Sequence, residues 1–130
     1  MLRHVALAVS DEDRARGFYE RYLGFDALPP RRYPDGVLML FDGRGRALAL
    51  GPTDESARLP CFLHFGYVLD DPQAARQIVA RFERDNVSLL EREDEADYVG
   101  CKVSDPDGYV VEVFWETGWE LPGDELRRES

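Results

Sequence analysis

Two histidines occur in the chain, His4 and His64, so any chemistry that needs imidazole must use one or both. Each lies in a β-rich run, Leu2 to Val9 and Cys61 to Leu69, in which alternate positions after it are small: Ala6 and Ala8 after His4, Gly66 after His64. Side chains alternate faces along a strand, so His4, Ala6 and Ala8 share one face and Val5, Leu7 and Val9 the other. His64, Gly66 and Val68 oppose Phe65, Tyr67 and Leu69 in the same way. A third polar group, Glu112, falls mid-strand with Val110 and Phe114, opposite Val111, Val113 and Trp115. Burying that carboxylate unpaired would cost on the order of several kcal/mol. Two histidines and a carboxylate are the donor set of a facial metal site with positions open for substrate and oxygen. The spacing leaves a second reading open, in which each histidine is a satisfied core or surface residue and Glu112 pairs with an arginine.

The elements that must position these groups follow from local signals. A strand from Leu2 to Val9 ends at Ser10-Asp11-Glu12-Asp13, where Ser10 and Asp13 have capping-box spacing and predict a helix start. Ala15, Phe18, Tyr19, Tyr22 and Leu23 recur at helical spacing, and Gly24 is placed to end the helix in a left-handed conformation. Strand-like runs follow near Phe25 to Leu28, Val37 to Phe41 and Ala47 to Leu50, with the turn Asp42-Gly43-Arg44-Gly45 before the last. A polar, proline-bounded linker spans Gly51 to Pro60. The pattern then restarts: a strand from Cys61 to Leu69, a helix capped by Asp71-Pro72 with Ala75, Ile78, Val79 and Phe82 as its apolar stripe, and strands at Val87 to Leu90, Tyr98 to Ser104 and Tyr109 to Trp115. Asp105-Pro106-Asp107-Gly108 is the turn between the last two.

A shift of 60 residues superposes His4 on His64, Val9 on Leu69, Asp11 on Asp71, Phe18 on Ile78 and Tyr22 on Phe82. Each half is therefore expected to be a βαβββ module, over residues 1–51 and 61–116, giving one α+β domain with a mixed, curled sheet around a shared cleft. Residues 117–130 are expected to be irregular.

With 130 residues and 44% hydrophobic content the chain suits one globular domain. No signal peptide or long apolar run opens it, which predicts a cytoplasmic protein without membrane association. Sixteen basic and 26 acidic residues give a net charge of −10, which repels nucleic acid. Cys61 and Cys101 have no metal-ligand spacing and read as small buried hydrophobes. The acidic stretch Glu91 to Asp97 reads as a solvated loop, and Arg31, Arg32, Arg44 and Arg46 as balance for the acidic surface. Tyr33, Phe41, Phe62, Phe114 and Trp119 are candidate walls for a flat ligand, Phe114 foremost because it shares the face of Glu112. Phosphate-binding glycine loops and GxSxG nucleophile motifs are absent.

The run His4-Val5-Ala6-Leu7-Ala8-Val9-Ser10-Asp11, with Phe18-Tyr19, Leu23-Gly24-Phe25, Asp105-Pro106-Asp107-Gly108 and Glu112, resembles the vicinal oxygen chelate superfamily over residues 2–116. That superfamily includes glyoxalase I, extradiol dioxygenases, fosfomycin-resistance transferases and bleomycin-sequestering proteins. The resemblance implies paired βαβββ modules and a metal held by His4, His64 and Glu112. Glyoxalase I members carry a further carboxylate on the last strand of the first half, where this chain has Arg46-Ala47-Leu48-Ala49-Leu50. The three-ligand set resembles instead the Fe(II) site of extradiol dioxygenases, although Lys102 stands where those enzymes have a tyrosine and no third histidine exists. Fosfomycin-type members have a threonine where this chain has Ala6.

The expectation is an Fe(II)-dependent, dioxygenase-like enzyme that oxygenates or oxidatively rearranges a phenolic or quinonoid small molecule, with Mn, Ni or Zn as alternative metals. Lys102, on one strand face with Tyr98, Gly100 and Ser104, is the candidate catalytic cation, its alternative being a solvated surface lysine. Tyr98 and Phe114 are the candidate cleft residues. The alternatives are a glyoxalase-like lyase or isomerase and a non-catalytic, drug-sequestering resistance protein. A homodimer is expected in each case.

Overall fold

A computed structural model describes residues 2–55 and 59–118. The element order is β1 (His4–Val9), α1 (Glu12–Leu23), β2 (Leu28–Arg32), β3 (Leu38–Phe41), β4 (Ala47–Pro52), β5 (His64–Val68), α2 (Pro72–Arg84), β6 (Leu89–Asp94), β7 (Tyr98–Ser104) and β8 (Val110–Glu116). The strands form two four-stranded mixed sheets, ordered β1-β4-β3-β2 and β5-β8-β7-β6, so the expected βαβββ grammar occurs twice. Two compact units result: Met1–Leu63 with Ser104–Val110, and His64–Val103 with Val111–Ser130.

In the first unit β1 runs parallel to β4, with His4 opposite Ala47 and Leu7 opposite Leu50. One sheet face supplies Leu7, Val9, Leu38, Leu40, Leu48 and Leu50, all buried. Against this core α1 contributes Ala15, Phe18, Tyr19 and Leu23. The helix is capped by Asp11, whose carboxylate accepts from the Arg14 N–H, and not by Ser10. Ser10 instead donates its N–H and hydroxyl to Asp107 Oδ1 at 3.0 and 2.9 Å, which takes it out of the capping role. Gly24 ends the helix at φ 73°, as its type predicts.

The strand expected at Phe25 to Leu28 begins instead at Leu28. Phe25 is buried edge-on against Tyr19, with ring centroids 6.2 Å apart, so it closes the helix end. Pro29 and Pro30 are tolerated because β2 is the edge strand of its sheet and its register shifts between Leu28 and Arg31.

The turn Asp105-Pro106-Asp107-Gly108 is held by one buried carboxylate. Asp105 Oδ1 accepts from the N–H groups of Asp107 and Tyr109, and Oδ2 accepts from the Tyr19 hydroxyl at 2.5 Å. Burial raises the Asp105 pKa, while these three donors pull it down. A carboxyl whose folded pKa lies above its unfolded value contributes stability that is complete below the unfolded pKa and is lost as pH rises through the folded one. Removing the Tyr19 hydroxyl raises the folded pKa further. Tyr19→Phe should therefore cost about 1–3 kcal/mol near pH 7 and less at about pH 2.5, well below the unfolded aspartate value of about 3.9, where the carboxyl is protonated in both states. Urea denaturation at the two pH values checks this, and an equal cost at both would contradict it.

In the second unit Asp71 caps α2 by accepting from the Ala74 N–H, with Pro72 in the first turn. Ala75, Ile78, Val79 and Phe82 of the helix are buried, as are Val99, Cys101 and Val103 of β7 and Val111 and Val113 of β8. The acidic stretch is only in part a loop: Glu91, Glu93 and Asp94 belong to the edge strand β6, while Glu95 and Asp97 lie in the exposed connection to β7. Cations surround it, because Arg76 pairs with Asp94 at 3.0 Å, Lys102 pairs with Glu91 at 3.3 Å and Arg92 pairs with Glu83 of α2. A charged edge of this kind also resists pairing with a foreign strand. The strands expected at Leu2 to Val9 and Cys61 to Leu69 are shorter than anticipated, and Cys61 is exposed, whereas Cys101 is buried as expected. Burial pushes the Cys101 thiol up to about 12 and keeps it protonated and unreactive. Thr117 donates its N–H to the Asp97 carbonyl, and Trp119 with the rest of the expected irregular tail lies outside the described residues.

Candidate metal and ligand site

On β8 the core face is taken by Val111 and Val113, so Glu112 is turned to the opposite face, where its side chain remains 23% exposed. The neighbouring strand β5 begins at His64, and His64 Nε2 stands 3.4 Å from Glu112 Oε2. Ligands bound at about 2.0–2.2 Å to one ion are separated by roughly 3.0–3.5 Å across a tetrahedral or octahedral edge. The His64–Glu112 pair has that separation.

The other carboxylate oxygen is held from the far side. Tyr98 of β7 donates its hydroxyl to Glu112 Oε1 at 2.7 Å and stacks on Phe114, with ring centroids 5.8 Å apart and an interplanar angle of 13°. Burial and then the Glu112 carboxylate raise the Tyr98 pKa, which keeps the hydroxyl a donor. Thus the carboxylate pairs with a tyrosine and a histidine, not with the arginine that the alternative reading required. A donor that fixes a ligand's second oxygen typically matters 10–100-fold in metal affinity. Tyr98→Phe should weaken divalent-metal binding by that factor while retaining the stack on Phe114. Competition with a chromophoric chelator measures it, and wild-type affinity would contradict the role.

Two glycines make room for this group. A Cβ on Gly66 would lie 3.1 Å from Phe114 Cε1 and 3.9 Å from Glu112 Oε2; one on Gly100 would lie 2.6 Å from both Phe114 Cβ and the Val113 carbonyl oxygen. The small residue expected beside His64 thus leaves space for the ring of Phe114.

Lys102 lies on β7 opposite Glu91 and is 18% exposed at the side chain, paired with that carboxylate. It is neither a bare surface lysine nor a bonded partner of Glu112.

His4 belongs to the first unit, exposed at the start of β1. The register aligns Leu28, Phe41, Ala47 and His4 in one row across β2, β3, β4 and β1. Ala6 pairs with Ala49 and Ala8 with Gly51, so the floor beyond His4 is made of small residues. Strand β4 offers that face only Ala47, Ala49 and Gly51, without a carboxylate. Among the described residues no three His, Cys, Asp or Glu side chains gather into a group that could hold a metal ion. The second unit provides two converging donors, and His4 is the third member of the expected set.

No described helix is long and apolar enough to cross a membrane. No curated protein matches the sequence. Among solved structures, a possible glyoxalase from Bacillus cereus superposes with a TM-score of 0.70 at 24% identity, covering 87% of this chain and 96% of that one. Lactoylglutathione lyase from Agrobacterium tumefaciens gives a TM-score of 0.69 at 22% identity, with 93% and 97% covered. A genomically encoded fosfomycin resistance protein from Listeria monocytogenes gives 0.72 at 12% identity, with 91% and 94% covered. At these identities the likeness is one of fold. The sequence itself matches the family model over residues 1–113, and the chain therefore belongs to the Glyoxalase/Bleomycin resistance protein/Dioxygenase superfamily, the vicinal oxygen chelate group.

Proposed function

We propose that the protein is a metal-dependent enzyme in which His4, His64 and Glu112 hold Fe(II), and that it oxygenates or oxidatively rearranges a phenolic or quinonoid small molecule. The observation that carries this reading is the Glu112 carboxylate. One of its oxygens faces His64 at 3.4 Å and the other is fixed by Tyr98 at 2.7 Å, an arrangement suited to a ligand held in one orientation. The small, uncharged His4 face of β4 favours a three-ligand set over a four-ligand one.

When bound, the metal would act as a Lewis acid toward two adjacent substrate oxygens and leave positions open for dioxygen. The protein's own groups do the remaining work. Phe114 and Tyr98 form a stacked aromatic wall beside the carboxylate and exclude water from one side of it. Tyr98 keeps Glu112 oriented. Lys102 is the cation of this reading, exchanging its pair with Glu91 for a developing phenolate. A homodimer accompanies the proposal.

The test is metal analysis of protein purified anaerobically without added metal, beside the His64→Ala variant, followed by oxygen uptake with catechols and hydroquinones. Near-stoichiometric iron, lost in the variant, together with substrate-dependent oxygen uptake, is the expected result. Nickel or zinc with isomerase activity on a hemithioacetal would replace the reaction by a glyoxalase-like one. Full metal content in His64→Ala would sink the site, and metal-free protein that binds a drug stoichiometrically would leave sequestration.

A further inference from the structure

In the first unit the row containing His4 forms part of a cavity of about 350 Å³ at one end of the β1-β4-β3-β2 sheet. Leu28, Tyr33, Met39 and Phe41 supply an apolar wall, and Ala47 is the small floor residue between Phe41 and His4. The volume lies within the range of about 300–1,000 Å³ typical of small-molecule sites. Its charge runs against that of the whole chain. The protein carries −10, yet among the described residues no acidic one lines this cavity, and two arginines, Arg3 and Arg46, do.

The two arginines differ in what neutralises them. Arg46 donates through Nε at 2.6 Å to Asp42, whose side chain is fully buried and also accepts from the Arg44 and Arg46 N–H groups. Arg3 donates through Nε to the Gly45 carbonyl at 3.2 Å and has no carboxylate partner among the described residues. That bond, with the backbone bond from the Ala47 N–H to the Arg3 carbonyl, holds Arg3 at the rim. Its terminal nitrogens keep donors for a planar anion, which a guanidinium binds in a two-pronged fashion.

We infer that this cavity binds an aromatic acid, with the ring against Phe41, Met39 and Tyr33 and the carboxylate on Arg3. The inference deepens the proposed function, on whose assignment of His4 as a metal ligand beside the substrate it rests, by narrowing the phenolic substrate to one bearing an anionic group. Arg3 is then a specificity-determining residue. A neutral ring would fill the same wall without the charge-assisted bonds, and a cationic one would be repelled.

The test uses the metal-free full chain and 2-naphthoate as probe, with 2-naphthylmethanol as its neutral counterpart, by isothermal titration. One-to-one binding of the acid is expected, weakened about tenfold or more in Arg3→Gln and less in Arg3→Lys, with the alcohol bound equally by all three. Phe41→Ala should weaken acid and alcohol alike. An acid bound no tighter than the alcohol, or unaffected by Arg3→Gln, would overturn the inference. So would an absence of probe binding in a dimer that Phe41→Arg converts to monomer, since a second copy of the chain would then cover the cavity. Metal uptake is measured on separate aliquots of the same preparations. Failure of naphthoate binding in a protein that takes up metal removes only this inference, whereas Arg3-dependent binding in a protein that takes up no metal removes only the proposed centre.

Discussion

Glu112→Ala should lose divalent-metal affinity by more than about a hundredfold, beyond the 10–100-fold effect typical of an outer partner such as Tyr98. The fold should survive. Glu112 lies on the half-exposed face of β8, while the packing against α2 is carried by Val111 and Val113, which the substitution leaves in place. Glu112→Gln separates charge from shape, because an amide still accepts the Tyr98 hydroxyl but binds a divalent cation poorly. It should therefore match the alanine variant in metal binding and the wild type in thermal stability. Equilibrium dialysis with metal analysis reads the first quantity and scanning calorimetry the second. Wild-type metal content in the glutamine variant would show that the carboxylate is structural.

Gly100→Ala is the substitution expected to cost most stability. In an ordinary strand it would be mildly favourable, since glycine loses more backbone freedom on folding than alanine. At this position the new Cβ would meet the Val113 carbonyl oxygen and Phe114 Cβ at 2.6 Å and Phe114 Cα at 2.8 Å. Two of these three are backbone atoms of β8, so relief requires β7 and β8 to part, which breaks the Tyr98–Glu112 bond and the Tyr98–Phe114 stack together. Overpacking of this kind costs about 1–3 kcal/mol and sometimes more, or roughly 5–10 °C in Tm for a chain of this size. Gly66→Ala is the control. Its Cβ meets the edge of the Phe114 ring at 3.1 Å, and a ring can give by a few tenths of an ångström. It should cost under about 1 kcal/mol. Equal or reversed losses in the two variants would refute the close approach at Gly100.

Both predictions depend on contacts between strands, and there the sequence was least informative. The linear order places Tyr98 fourteen residues before Glu112 with a turn between them. Nothing in that spacing says which β7 residue reaches the carboxylate. The available signal was alternation: Tyr98 and Gly100 share a face, and a tyrosine beside a glycine on a half-buried strand has an apolar ring to bury and a hydroxyl that needs a partner. Sequence reasoning put Tyr98 in the cleft, on one strand face with Gly100 and Lys102, and did not identify it as the group that fixes Glu112. Arg3 carried no signal at all: among the described residues it has no carboxylate partner, and the nearby Asp42 is instead paired with Arg46.

What the sequence determined by itself is local in origin. The repeat at a shift of 60 residues, the two helices, the Asp71-Pro72 start, the Gly24 stop and the Asp105–Gly108 turn all follow from near neighbours in the chain, as does the division of β1 and β8 into a core face and a face bearing His4 or Glu112. What the tertiary structure decided is register. It moved β2 past Phe25 because that ring is needed against Tyr19, drew the first part of an acidic loop into an edge strand because α2 and β7 supply its cations, brought Tyr98 and His64 to the two oxygens of one carboxylate, and left Arg3 without a carboxylate partner among the described residues beside a largely apolar cavity. The physical reason is that the twofold period of a strand fixes which face a residue takes, while the residue opposite it is chosen by hydrogen-bonded pairing between segments far apart in the chain.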